Sequence, residues 1–298
     1  HFWRVSNAEH LAMSEDCGIV NLSHFYMFDV EGPDHVALME WICAAKIGGD
    51  ANVGKGIYTH FLDDEGMVRA DLTVFRMADR CRVVDGADAG PRGLRYVQRL
   101  AEDKGFNVTV TDVSETYVTI GIWGPNARVT LQKAVEDPNG LTHENFPFAA
   151  IKPIRIAGKD VTAFRISYVG EQGWELHMKY EDGLAVWDAL RATGVMAFGV
   201  ETYANSRRME KSLRLQNADL LTQYNLIEAD LARPKVKEAD FRGKAKHLEY
   251  KAREHQPAML CTPVMTENSD RNGVKRYPVR NLPVMDPETG EVLVDELG

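Results

Sequence analysis

The sequence predicts an α+β fold spread over about two domains, with a further small β unit at its end. Three observations predict it. The chain has 298 residues. Short strand-like runs with period-two alternation are interleaved with helix-like runs of period 3.6. The spacing between them lacks the regular strand–helix–strand repeat of a doubly wound sheet.

The helical runs come first. Gly32-Pro33-Asp34 opens one, with proline suited to the first turn, and Val36, Met39 and Ile42 recur at helical spacing until Gly48-Gly49. Leu94, Val97 and Leu100 mark a second helix that ends near Gly105. Ala127 to Ala134, after Gly124-Pro125, is a third. Leu184, Trp187 and Leu190 line a fourth, stopped by Gly194.

Strands lie between these helices. In Met67 to Phe75, residues Val68, Ala70, Leu72 and Val74 share one face, which reads as core. Arg69, Asp71, Thr73 and Phe75 share the other, a mixed face suited to lining a cavity. Thr116 to Trp123 and Val161 to Tyr168 read as strands, and Trp174 to Met178 alternates again. A weak boundary falls near Glu254-His255-Gln256-Pro257. The stretch after it, with Asn268, Asp270, Asn272-Gly273 and Pro278, is turn-rich and suggests a small β domain. No internal repeat or low-complexity segment interrupts the pattern. His1-Phe-Trp and the closing Gly290 to Gly298 both read as cut from a longer protein.

Composition narrows the function classes. Hydrophobic residues make up 44% and charged residues 27%, ordinary for a globular protein with a sizeable core. No stretch approaches the ~20 consecutive apolar residues of a membrane helix. The net charge of -9 argues against general nucleic-acid binding, which needs a basic surface. The four cysteines, at 17, 43, 81 and 261, form no CxxC pair and read as reduced thiols of a cytoplasmic protein. There is no GxGxxG opening strand, no P-loop, no HExxH and no GxSxG elbow. The nine histidines are scattered, and each reads as structural or solvated rather than catalytic. Any chemistry must therefore rest on something other than a common nucleophile or a metal.

Four segments in order resemble the glycine-cleavage T-protein family. They are Gly18-Ile-Val-Asn-Leu-Ser-His24 with Phe28-Asp-Val-Glu-Gly-Pro-Asp34, then Asp64 to Phe75, then Ile122-Trp-Gly-Pro-Asn-Ala127, and most specifically Ser167-Tyr-Val-Gly-Glu-Gln-Gly-Trp-Glu-Leu176. Arg208 to Lys211, Asn225 to Leu231 and Asp240 to Gly243 continue the match, which covers roughly residues 5 to 250. The pattern around Tyr168 and Tyr203 looks more like the folate domains of sarcosine and dimethylglycine dehydrogenases, which are fused to a flavin domain.

The resemblance implies a ring of mixed domains around a central channel for tetrahydrofolate. It implies a discontinuous folate-binding domain from residues 1–25 plus 115–250, an inserted α+β domain at 26–114, and a partial C-terminal β domain at 257–298. It implies a methyl- or aminomethyltransferase, a demethylase of some small N-, O- or S-methyl donor, with folate N5 as acceptor. The alternative it leaves open is a folate-binding module that captures a one-carbon unit released by a flavin-dependent partner domain or subunit.

It also assigns residues. Glu175 matches the pterin-binding carboxylate; taken alone it would read as a surface glutamate on a strand. A carboxylate suits this role because the pterin edge offers an amino group and a ring N–H side by side. Asp71 matches the catalytic-site aspartate, the second of a pair in many members. Tyr168 matches the tyrosine before the T-G-E motif, an aromatic able to pack on cofactor and hydrogen-bond substrate. Phe75 stands where tyrosine is common, Asp85 replaces an asparagine near the cofactor, and Glu228 matches a glutamate of the P-x-E-x-G-L stretch. Trp123 replaces a glutamine and Asn21 an aspartate. Ala204 stands where T-proteins carry an arginine for the folate glutamate tail, leaving Arg207, Arg233 and Lys235 as basic residues nearby.

Overall fold

The computed structural model describes residues 2–232, 236–275 and 284–294. In chain order the main strands are β1 (Gly18–Asn21), β2 (Tyr26–Glu31), β3 (Lys55–Leu62), β4 (Val68–Arg76), β5 (Arg80–Asp85), β6 (Thr109–Asp112), β7 (Tyr117–Trp123), β8 (Ile151–Ile156), β9 (Lys159–Phe164), β10 (Gly173–Lys179) and β11 (Met196–Phe198). The helices that cover them are α1 (Trp3–Glu15), α2 (His35–Ile42), α3 (Gly90–Lys104), α4 (Ala127–Gln132) and α5 (Gly183–Arg191).

The strands form two main sheets. One has five strands in the order β3-β4-β5-β2-β6; the other has six, ordered β11-β1-β7-β10-β9-β8. Pairing is antiparallel throughout both except where β1 meets β11. Helices and strands are mixed without a parallel core, as the α+β reading requires.

Each sheet buries one face under helices. Ala70, Leu72 and Val74 of β4 join Val83, Phe28 and Val30 beneath Leu38, Met39 and Ile42 of α2 and Leu94, Val97 and Leu100 of α3. This is the apolar face read from the sequence. Gly105 ends α3 in the left-handed conformation, with φ 71°. In the six-stranded sheet, Ile19, Ile122, Trp174 and Leu176 pack under Leu131 of α4 and Val186 and Leu190 of α5.

The helix-free faces meet. Phe75 on β4 stands edge-on to Phe164 on β9, with ring centroids 4.9 Å apart, and to His177 on β10 at 5.0 Å. Burying a phenylalanine this way is worth about 2–3 kcal/mol. Arg82 on β5 makes the second junction. Its Nε and Nη2 donate to Asp29 on β2 at 2.7 and 2.8 Å, and its guanidinium lies 3.9 Å over the Tyr117 ring of the other sheet.

Several sequence expectations shift here. Helix α2 stops at Ile42, well before Gly48, because Cys43 turns extended and bridges Phe61 while the Ala44 N–H donates to the His60 carbonyl. The third helix likewise ends at Gln132. On α5 the buried residues are Val186 and Leu190, and Leu184 is exposed, so the inward face is rotated from the one expected. β9 ends at Phe164 rather than Tyr168; the Trp123 Nε1–H captures the Ile166 carbonyl at 2.8 Å and takes it out of the ladder. β10 is buried on both faces from Gly173 to Met178, because it is central in its sheet and faces the other sheet as well as the helices. Helix α1 and the π-helical turn Thr202–Arg207 were not read from the sequence. They hold each other through Glu9, which accepts from the Gly199 N–H and the Thr202 hydroxyl, and through His10 with Ser206. In the C-terminal stretch the described residues include a two-stranded pairing of Val284–Met285 with Val292–Val294. Pro278 lies outside the described residues.

Asp29 and Arg82 are 2% and 5% exposed. Removing one member of such a pair leaves a buried charge without a partner. Asp29→Ala is therefore expected to lower unfolding stability by about 3–5 kcal/mol in denaturant titration, while Asp29→Leu combined with Arg82→Met recovers most of it. Equal loss in the single and double variants would contradict this account.

Candidate functional site

The mixed face of β4 turns toward the six-stranded sheet. Asp71 lies on it, with its side chain 9% exposed, and the β3–β4 register sets His60 directly opposite. His60 Nε2 is 3.3 Å from Asp71 Oδ1 and 3.2 Å from the Tyr58 hydroxyl. The Asp71 N–H donates to Gln216 Oε1 at 3.1 Å. Burial raises the Tyr58 phenol well above its ordinary range, and the charge of Asp71 and a hydrogen bond to it add to the effect.

Tyr168 follows the end of β9. Its hydroxyl donates to the Arg214 carbonyl at 2.7 Å, and its ring packs on Tyr203 with centroids 5.2 Å apart. Burial pushes the Tyr168 phenol up, with Asp71 contributing in the same direction and Arg208 opposing. Tyr203 also stacks on Trp123 at 5.2 Å. The three rings form an aromatic wall.

Glu175 sits at the far end of that wall. It lies mid-strand on β10, paired with Gly121 on one side and Phe164 on the other, and is 8% exposed. His177, two residues on and so on the same face, holds Nε2 3.3 Å from Glu175 Oε2, while its Nδ1 is 2.9 Å from the Thr119 hydroxyl. Burial drives the Tyr203 phenol well up, and the charges of Glu175 and Tyr168 add to it. Asp71 thus lies near Tyr168, and Glu175 near Tyr203, at the two ends of the aromatic wall.

Asp85 ends β5 and is 3% exposed. Burial pushes its carboxyl up to about 7; the Gly86 N–H, 2.7 Å from Oδ1, opposes the rise and the charge of Asp71 adds to it. Its Oδ2 has no partner and lies against Gly93 of α3, where a Cβ would approach to 2.8 Å. A larger residue at 93 would displace the carboxyl.

The remaining sequence candidates fall elsewhere. Phe75 is 1% exposed, and its ring meets Phe164 and His177 of the other sheet. Glu228 is half-buried in a turn, where its carboxylate accepts from the Asn225 N–H at 3.2 Å. The structure thus brings Asp71 near Asp85 and Tyr168, brings Glu175 near Tyr203, and sets Glu228 in a local turn contact. Arg207 is buried and committed to Glu171 at 2.9 Å and Glu210 at 2.7 Å. Arg233 and Lys235 lie outside the described residues. Tyr58, His60, Thr119 and His177 were not singled out by sequence, and Tyr203 entered only as part of a family pattern, with no role at the site. Only His177 carried a legible signal, its two-residue offset from Glu175 on a strand.

Among the described residues no group of three or more His, Cys, Asp or Glu is arranged to hold a metal ion. What the arrangement offers is a buried carboxylate beside a wall of aromatic rings. That combination suits a flat heteroaromatic ring with paired N–H donors on one edge.

Residues 2–236 match the GCVT N-terminal domain, and the chain belongs to that family. It is 31% identical over 248 residues to an aminomethyltransferase of Thermus thermophilus, covering 83% of this chain and 68% of that protein. It is 30% identical over 281 residues to the mitochondrial dimethylglycine dehydrogenase of Rattus norvegicus, covering 92% of this chain. There it spans about a third of the relative's length, 32%. The fold is that of the glycine cleavage system aminomethyltransferase T from Bartonella henselae, with a TM-score of 0.71 at 24% identity over 83% of this chain and 66% of that one. The chain is an aminomethyltransferase-like domain, and tetrahydrofolate is the cofactor of the family to which it belongs.

Asp85 generates a pH prediction. Its folded-state pKa of about 7 lies above the ordinary aspartate value of 3.8, so the native state binds more protons than the unfolded one between them. Stability contributed by the neutral form is full below about pH 4 and is lost as pH rises through 7. Asp85→Asn keeps an acceptor for the Gly86 N–H without the charge. It is expected to match the parent near pH 4 and to exceed it by about 2–4 kcal/mol at pH 8, measured by denaturant unfolding. Parallel stability profiles for the two proteins would rule this out.

Proposed function

We propose that this domain is a tetrahydrofolate-dependent one-carbon transferase that takes a methyl or aminomethyl group from a small N-, O- or S-methyl donor. The observation that carries the reading is the buried Glu175 carboxylate at one end of the Trp123–Tyr203–Tyr168 wall, with Asp71 near Tyr168 at the other. The bound cofactor supplies the nucleophilic N5 that accepts the one-carbon unit.

The protein's part is binding, orientation and charge. Glu175 accepts the paired N–H donors of the pterin edge, a charge-assisted interaction in a place already desolvated. His177 keeps that carboxylate aligned. Tyr168, and Phe75 behind His177, bound the ring-binding region, and Asp85 and Glu228 belong to its surroundings. Asp71 supplies negative charge to the positive charge that develops on the departing one-carbon group. Water is excluded by the two sheets that close over these groups. With Ala204 in place of a tail-binding arginine and Arg207 held by two glutamates, the folate glutamate tail is left to other groups. The four cysteines are all unpaired, which supports a reducing compartment such as the cytoplasm.

About a third of a dimethylglycine dehydrogenase covers nearly this whole chain, and a second reading is kept beside the first. In that reading the domain captures a one-carbon unit released by a flavin-dependent partner domain or subunit. Incubating the protein with tetrahydrofolate and candidate methyl or aminomethyl donors, and following both methyl-folate and methylene-folate by mass spectrometry, separates the two. Product with the domain alone supports the transferase; product only with an added amine oxidase supports capture.

Glu175→Gln presents a donor where an acceptor is needed. Folate affinity is expected to fall by about 1–3 kcal/mol in calorimetry. Unchanged affinity would sink the assignment of Glu175.

Asp71→Asn is expected to fold normally and to bind folate nearly as well, because the apolar face of β4 is untouched. Its kcat is expected to fall by roughly 10- to 1,000-fold, with little rise in KM. Full kcat in this variant would return Asp71 to an ordinary strand residue.

A further inference from the structure

We infer that His60 is the positioning residue of Asp71, held by Tyr58 so that its ring edge fixes one carboxylate oxygen. The inference deepens the proposed function and rests on the assignment of Asp71 made there.

The arrangement follows from donor and acceptor counting. An ionised Asp71 only accepts. The Tyr58 hydroxyl has one proton, and its hydrogen bond to Asp71 uses it. The Tyr58 oxygen can then only accept, and His60 Nε2 lies 3.2 Å from it. Nε2 must therefore carry a hydrogen, a tautomer assigned from the network. The same Nε2 is 3.3 Å from Asp71 Oδ1, within ion-pair distance but off the line of a hydrogen bond, so that Oδ1 has no hydrogen-bond partner of its own. The proton on Nε2 thus goes to the phenol while the ring edge packs against the carboxylate, and Tyr58 closes the third side.

Geometry makes this arrangement stiff. His60 and Asp71 are paired in the β3–β4 ladder, so their backbones have a fixed separation. The His60 side chain is 3% exposed and its ring stands edge-on to Tyr58 at 4.9 Å. A carboxylate whose backbone is held by the ladder and by Gln216, with Tyr58 donating to it and His60 packed against its other oxygen, has little freedom to rotate. That is what a group acting on developing charge requires, since reorganisation during the reaction costs barrier height. A histidine that merely filled space would need neither contact.

The titratable and charged groups around Asp71 are Tyr58 and His60 from β3, Asp85 from β5, and Tyr168 and Arg214 from the segments packed on that face. Arg208 and Asp219 act on Tyr168 from behind. Of these, His60 and Tyr58 are the ones in contact with the carboxylate. Their loss should make the ionised form of Asp71 harder to hold, so the acid limb of the rate profile moves to higher pH.

The experiment compares His60→Leu, His60→Gln and Asp71→Asn, with the His60→Leu/Asp71→Asn double variant, in the full chain with tetrahydrofolate and an active donor. His60→Leu is expected to lower kcat by about tenfold, to shift the acid limb of kcat upward, and to leave folate affinity within about twofold. His60→Gln, whose amide nitrogen can reach the Nε2 position, is expected to restore most of the rate. In the Asp71→Asn background the leucine change is expected to cost less than about twofold more, because the two residues act as one unit. If leucine disrupts folding, His60→Asn, which keeps an amide but falls short of Asp71, takes its place. Unchanged kcat and acid limb in His60→Leu beside an impaired Asp71→Asn overturns the role of His60 alone, as does a full additional loss in the double variant. Unchanged kcat in Asp71→Asn overturns the reading of Asp71 itself.

Discussion

The contact on which the rest of the molecule depends is the meeting of two sheets at Phe75. One phenylalanine leaves β4, crosses the gap between the sheets and stands edge-on to both Phe164 and His177. Around it Met27, Val84 and Phe164 exclude water. Because strand side chains alternate, fixing Phe75 against the opposite sheet also fixes the direction of Asp71, four residues earlier on the same face. On the other side it presses on the ring of His177, the neighbour of Glu175. A single apolar contact therefore sets the orientation of both carboxylates.

The charges that surround this contact show what such a junction costs. Arg82 and Asp29 are buried together at the sheet boundary and satisfy one another with two hydrogen bonds and an aromatic face. Asp85 has found only one donor, and its carboxyl responds by holding its proton to near neutral pH. Asp71 and Glu175 each lie beside a histidine that is itself tied to a hydroxyl, that of Tyr58 on the same strand in one case and that of Thr119 on the neighbouring strand in the other. The same desolvation that makes these groups expensive makes their electrostatic effects large.

The elements were legible where a pattern is local. The two faces of β4, the start of α2 behind Pro33, and the end of α3 at Gly105 all follow from spacing within a few residues. Expectations failed where a distant residue intervened. Cys43 leaves its helix to bridge Phe61, Ile166 leaves its strand for Trp123, and α5 turns Val186 inward while Leu184 faces water. Helix α1 has a weak apolar face and is held by polar contacts to a turn nearly two hundred residues away, so periodicity could not announce it.

By itself the sequence determined the α+β class, the apolar face of β4, the ordered motifs that mark the family, and the chemical type of each candidate group. These are properties of residue type and short-range spacing, which survive in an unfolded chain. The tertiary structure alone decided which groups are neighbours. His60 faces Asp71 because of the register of β3 on β4, Tyr203 joins Tyr168 because a π-helical turn presents it there, and Arg207 is spent on Glu171 and Glu210. Hydrogen bonds, burial and ionisation all depend on distances of a few ångströms between residues far apart in the chain. Those distances exist only once the two sheets have closed on one another.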